Sequence, residues 1–115
     1  MEKRNKVTVF ASNFLNQDEF NNYLQENFTE DGDMYSELTK ELGVDYIDNQ
    51  FQEVYFSGEN ISLEDLKRFS YSENFINKID MNFSMFNSLI LLYDYAYTNK
   101  ERLERLHIIG VFDYR

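Results

Sequence analysis

Two runs near the end of the chain, Ser88 to Tyr97 (SLILLYDYAY) and Arg105 to Tyr114 (RLHIIGVFDY), constrain the fold more than any other feature. Both are rich in β-branched, leucine and aromatic side chains, the composition of strands buried in a sheet. The segment between them, Thr98-Asn-Lys-Glu-Arg-Leu-Glu104, is polar, so an antiparallel C-terminal hairpin is expected. A further strand is expected over Lys6 to Ala11, where Val7, Val9 and Ala11 alternate with Thr8 and Phe10 and both faces are partly covered. Another is expected over about 50–57, ended by Ser57-Gly58.

Helical signals fill the middle. Asn16 followed by Glu19 has the spacing of a capping box, with Leu15 and Phe20 as its hydrophobic staple, and predicts a helix over 17–27. Its apolar face would be Phe20, Tyr23, Leu24 and Phe28. Asp33 is placed to cap a second helix over 34–42, stopped by Gly43. Ser62 opens a short helix running to about Phe69, with Ile61 and Leu66 as its staple, and Ser72 caps a fourth over 73–82, with a stripe of Phe75, Ile76, Ile79 and Phe83. Strands at the end and helices in the middle, without βαβ rhythm, predict an α+β fold. The expected architecture is a mostly antiparallel sheet of about four strands with about four helices packed mainly on one face. At 115 residues the chain fits one domain, and it shows no internal repeat.

Composition removes several classes of function. There is no cysteine, hence no disulfide, thiolate metal site or cysteine nucleophile. The opening MEKRNKVTVF has only Val7 to Ala11 as an apolar stretch, too short for a secretory core, and the longest apolar run, Leu89 to Tyr93, is far below a bilayer span. A cytoplasmic location without membrane association is expected. The sequons at Asn27, Asn60 and Asn82 carry no weight without an export signal.

Charge is unevenly spread. The net value is −10, yet Gln17 to Leu66 holds fourteen acids against one base, Lys40, and sums to −13. The remainder, with seven acids and ten bases, sums to +3. A concentration of one sign destabilises a compact chain by self-repulsion and favours a partner of the other sign. Duplex nucleic acid is excluded as a direct partner, because it is held by Lys and Arg on its phosphates. A basic protein surface fits.

Catalytic and metal signatures are missing. Counting from Asp31, an EF-hand loop would need Gly at Ser36 and Glu at Leu42, so Asp31-Gly32-Asp33 reads as a turn between two helices. His107 is the only histidine and sits in a predicted strand, where it reads as a surface or hydrogen-bonded sheet residue. Four scattered glycines cannot form a phosphate loop, and no nucleophile or His-pair motif occurs. No cofactor, metal or catalytic residue is expected. In Tyr93-Asp94-Tyr95-Ala96-Tyr97, strand periodicity puts three tyrosines on one face, a packing arrangement that can also serve an interface.

Several short pieces together resemble one family. They are Asn13-Phe14 after the first strand, Glu19-Phe20 with Tyr23-Leu24, Asp31-Gly32-Asp33, and Leu42-Gly43-Val44-Asp45-Tyr46 with Asp48, Phe51 and Glu53. Ser70-Tyr71-Ser72-Glu73 with Phe75-Ile76, and Leu91-Leu92-Tyr93-Asp94, complete the pattern. The succession resembles the bacterial immunity protein 22 family over nearly the whole chain. The resemblance implies a small antidote from a polymorphic toxin system that binds a cognate toxin domain and performs no catalysis. A nuclease toxin would carry a basic site for phosphate, which suits the acidic segment. The partner contacts are therefore expected at Glu30, Asp31, Asp33, Glu37, Glu41, Asp45 and Asp48, with Tyr35 or Tyr46 as aromatic anchors. On the expected second helix, Asp33, Glu37 and Glu41 would form one repulsive stripe that a partner relieves. The alternative is an acidic binding module, or nucleic-acid mimic, that occupies some other basic protein. Neither reading sets the oligomeric state.

Overall fold

The computed structural model describes residues 2–79, 85–98 and 103–115. Its main sheet contains β1 (Glu2–Ser12), β4 (Gln52–Phe56), β5 (Ser88–Tyr95) and β6 (Leu106–Asp113) in the order β4-β5-β1-β6, with every neighbouring pair antiparallel. A separate two-stranded hairpin pairs β2 (Asn27–Phe28) with β3 (Met34–Tyr35). The helices are α1 (Gln17–Leu24), α2 (Glu37–Leu42) and α3 (Leu63–Leu66). The class is α+β, with a four-stranded antiparallel sheet.

The expected C-terminal hairpin does not form. β5 and β6 both pair with β1, which lies between them. The reason lies in β1, where every side chain from Val7 to Ser12 is buried. As an edge strand this segment would expose an apolar rim with unpaired backbone groups, whereas the central position satisfies both edges. Residues 99–102 of the expected turn lie outside the described residues.

Because β1 and β5 are apolar on both sides, the helices cover two faces rather than mainly one. Val7, Val9, Ala11, Leu89, Leu91 and Tyr93 pack against Ile61, Leu66, Phe69 and Phe75. On the other side Phe10, Ile90, Leu92 and Leu106 pack against Phe14, Phe20, Tyr23, Leu38 and Leu42. The molecule is thus a three-layer arrangement, with α1 and α2 on one face and α3 with the 61–79 segment on the other.

Local signals explain where the elements end. Asn16 Oδ1 accepts from Glu19 N at 2.9 Å and caps α1, but Leu15 is 84% exposed, so no staple forms, and the helix ends at Leu24. Phe28, expected on the α1 face, sits exposed on β2. The cap of α2 is Ser36, in a reciprocal box with Thr39, rather than Asp33, because Met34 and Tyr35 are drawn into the hairpin. Gly43 ends α2 with φ 70°, the left-handed conformation expected of it. Ser62 and Asp65 form the box that opens α3, and Ile61 and Leu66 are both buried, although the helix stops at Leu66. Instead of a helix from 73, two 3-10 turns, Ser72–Asn74 and Ile76–Lys78, follow Tyr71 at φ 61°. Ser and Asn side chains here compete for backbone groups, and Asn74 Nδ2 donates to Tyr114 O at 2.8 Å. Phe75, Ile76 and Ile79 still pack into the core as the stripe required; residues 80–82 of the expected helix and Phe83 lie outside the described residues.

One irregularity reorders the tyrosines. Asn5 and Asp94 face each other across a register shift between β1 and β5, both with positive φ (67° and 55°). The Asp94 carboxylate accepts from Asn5 N at 2.9 Å and from the Tyr114 hydroxyl. The shift flips the face, so Tyr93 packs on the α3 side while Tyr95 and Tyr97 pack on the α1 side. Desolvation works to raise the Asp94 carboxyl, but the bonds from Tyr114 and Asn5, with Arg115 and Arg4 nearby, hold it below the ordinary carboxylate value. Burial, then its bond to Asp94, pushes the Tyr114 hydroxyl up to about 12, and burial followed by the Tyr97 neighbour pushes Tyr95 to about 12. Tyr93 is raised by burial and then by Glu53.

A raised phenol contributes stability that is fully present below the unfolded value, ~10, and is lost as pH climbs through the folded value. Stability should therefore fall between about pH 10 and pH 12. Over this range the 295 nm phenolate absorbance of the folded chain should lag that of the chain in urea. Coincident titrations would contradict the buried tyrosine cluster. At the acid end the Asp94 contribution should disappear as pH drops below about 4.

Candidate functional site

The layer holding α1, the β2–β3 hairpin, α2 and the 44–48 loop spans residues 17–48, which carry ten acids and one base. The opposite layer, residues 57–79, carries four acids and three bases. The imbalance read along Gln17 to Leu66 therefore carries over in part: ten of its fourteen acids lie in one layer, Glu53 stands on β4, and Glu59, Glu64 and Asp65 belong to the opposite layer.

The nine expected contact residues separate into three groups. Glu30, Asp31 and Asp33 occupy the tip of the hairpin, where Gly32 (φ 87°) turns the chain and Gly32 N donates to Thr29 O at 2.9 Å. The Asp-Gly-Asp turn thus joins two short strands rather than two helices. All three side chains are exposed, and none makes a hydrogen bond or ion pair among the described residues. With Asp33 off the helix, the three-member stripe is reduced to Glu37 and Glu41.

Glu37 and Glu41 lie in a cleft of about 780 Å³ with Glu19, Tyr23, Lys40, Glu104 and Arg105. Much of its charge is matched internally. Arg105 pairs with Glu19 and lies 4.3 Å over the Phe14 ring, and Lys40 Nζ stands 3.9 Å from Glu37. The bond from Arg105, then one from Leu15 N, holds the Glu19 carboxyl below its ordinary value. Glu41 has a structural role: Oε1 accepts from Tyr23 Oη at 2.9 Å, and Oε2 accepts from Arg105 N and Leu106 N at 3.0 Å each. Burial, then the Glu41 charge, drives the Tyr23 hydroxyl strongly upward. Glu41 is consequently a tie between α2 and the start of β6, and Tyr35 is half-buried under Lys40 at 4.6 Å.

Asp45, Tyr46 and Asp48 line a second cleft, about 500 Å³, whose other wall is Leu92 to Tyr95 of β5. Asp48 Oδ1 accepts from Gln50 N at 2.9 Å, whereas Asp45 is exposed and unpaired among the described residues. Tyr46 is 63% exposed and Phe51, also in the wall, 42%. Phe51 and Asp94 are not among the expected contacts, and Tyr95 comes from the tyrosine run read as packing that can also serve an interface. The 3-10 turn that brings Phe51 round, and the shift at Asp94, have no periodic signal in the sequence.

Among the described residues no group of three or more acidic, His or Cys side chains could hold a metal, and no helix is long and apolar enough to cross a membrane. His107 is exposed, its ring 5.0 Å from that of Phe86.

A small α+β domain with one strongly acidic covering layer and aromatic clefts is the class that fold and site define. Residues 7–115 match the model of Immunity protein 22, and the chain belongs to that family. Immunity proteins as a class bind and neutralise cognate toxins. No curated protein and no solved structure matches the chain.

Glu41→Ala should destabilise the chain by about 1–3 kcal/mol in urea unfolding, because three donors lose one carboxylate. Asp33→Ala should stay within about 0.5 kcal/mol, as expected at an exposed, unpaired site. Equal effects would contradict the division between tie and free charge.

Proposed function

We propose that this chain is the cytoplasmic antidote to a cognate nuclease toxin domain, and that it acts by laying its acidic layer on the toxin's basic surface without any catalytic step of its own. The observation that supports this best is the excess of acids in residues 17–48, ten against one base on a single side of the sheet, of which Glu30, Asp31, Asp33 and Asp45 have no internal partner among the described residues. A nuclease must hold phosphate with cationic groups, and an acidic cover competes for those groups. Family membership supplies the toxin class of partner.

The contact residues are Glu30, Asp31 and Asp33 on the hairpin tip with Asp45, Tyr46 and Asp48 on the adjoining loop. The base of the hairpin borders that loop: Glu26 Oε1 accepts from Asn49 Nδ2 at 2.6 Å, and a small cavity is shared by Met34, Tyr35, Ile47 and Asn49. Glu37 sits at the margin of this surface, and Glu41 and Tyr35 contribute by shaping it. Complementary charge acts most on encounter, raising association from about 10⁵–10⁶ M⁻¹s⁻¹ towards 10⁸–10⁹ M⁻¹s⁻¹ at low salt. Speed matters to an antidote, since an unbound nuclease damages the cell during the delay.

The combined variant Asp31→Lys, Asp33→Lys, Asp45→Lys should slow association with the cognate toxin domain at least tenfold at low salt and flatten the salt dependence, with unfolding little changed. Stopped-flow mixing measures this. Association as fast as wild type would remove the acidic layer as the contact surface.

A further inference from the structure

The second cleft has a feature that acidic residues alone do not explain. β4 begins at Gln52, opposite Leu92, so the β5 edge beyond Leu92 has no strand beside it among the described residues, while Asp94 is left-handed (φ 55°) and Tyr95 O accepts from Thr8 Oγ1 at 2.7 Å. The chain is turned away at that point by the 3-10 turn Asn49–Phe51, which Asp48 caps. The result is an open stretch of strand edge at the floor of a cavity of about 500 Å³, a size typical of pockets that enclose a ligand group. Unpaired strand edges are templates for an added strand.

The walls select the occupant. Tyr46 and Phe51 present exposed ring surface, and Asp45 and Asp48 bring carboxylates to the same wall, whereas the Asp94 carboxylate is already held by Asn5 N and the Tyr114 hydroxyl. A neutral apolar segment would strip water from these carboxylates without replacing it, a costly burial. An acidic segment or a phosphate would be repelled. A guanidinium or ammonium group satisfies both requirements, because it stacks on an aromatic face and pairs with a carboxylate. Asp45 has no internal partner among the described residues, so its charge is available without breaking any contact.

We propose that this cleft receives an extended segment of the toxin, added alongside β5 where β4 ends, at Tyr93 and Asp94, with an arginine or lysine side chain seated against Tyr46 and the carboxylates of Asp45 and Asp48. The toxin as source of the segment rests on the function proposed above; the chemistry of the cleft does not.

The experiment uses the full ¹⁵N-labelled chain and a blocked peptide of alternating valine and arginine, followed by amide shifts. Saturable shifts are expected at Tyr93 and Asp94 and at Tyr46 to Asp48. Replacing each arginine by neutral citrulline, or introducing Asp45→Lys, should weaken binding at least tenfold, and N-methylating the peptide backbone should abolish the shifts at the β5 edge. Absence of shifts there, equal binding of the citrulline peptide, or the same shifts appearing from self-association without peptide would each overturn the proposal. A chain that neutralises its toxin yet ignores the peptide fails this inference alone. One that binds the peptide in the cleft yet no toxin supports the cleft chemistry and fails the immunity reading alone.

Discussion

Burial of β1 on both faces, with a strand hydrogen-bonded along each of its edges, is the constraint from which the other features follow. Val7 to Ser12 have no access to solvent. A strand in that position needs apolar cover above and below, so the chain must supply two separate layers. The first part supplies one through Phe14, Phe20, Tyr23, Leu38 and Leu42, and the middle supplies the other through Ile61, Leu66, Phe69 and Phe75. Since each layer is nearly contiguous in sequence, a charge difference between stretches of sequence becomes a charge difference between faces. Burying Phe10, Ile90 and Leu92 under the acidic layer is worth roughly 1.5–3 kcal/mol for each side chain, which offsets the mutual repulsion of the carboxylates it carries.

Much of the fold was legible in the sequence because it rests on local signals. The four strand positions followed from β-branched and aromatic runs, and the caps at Asn16 and Ser62 and the stop at Gly43 followed from side-chain hydrogen bonds and backbone conformation that act over three or four residues. Strand order was not legible. Nothing in SLILLYDYAY or RLHIIGVFDY states that KVTVFA will lie between them; that is decided by which arrangement buries β1 best. The segment after Tyr71 was misread for a different reason: an apolar spacing of Phe75, Ile76 and Ile79 is compatible with a helix or with successive 3-10 turns, and buried neighbours choose between them.

The acidic layer was legible as a region, while the separate roles of its side chains were not. The acidic stretch divides: residues 17–48 lie in one layer with ten of its fourteen acids, Glu53 stands on β4, and Glu59, Glu64 and Asp65 lie in the opposite layer. Within the acidic layer the carboxylates do different work. Glu41 holds Tyr23 and the start of β6, Asp48 caps a turn, Glu19 holds Arg105, and only residues such as Asp31, Asp33 and Asp45 remain free of internal partners among the described residues. Long-range hydrogen bonds of this kind leave no trace in spacing. The aromatic strand face and the acidic loop, which looked like alternative surfaces, meet in one cleft because the Asp94 irregularity turns Tyr95 to the α1 side.

Hydrogen–deuterium exchange of the chain with and without its toxin domain would test most directly whether the acidic layer is the face that acts. The account predicts slowed exchange in residues 27–51 and 92–95, with residues 61–79 unchanged. Protection confined to 61–79, on the charge-balanced side of the sheet, would contradict it.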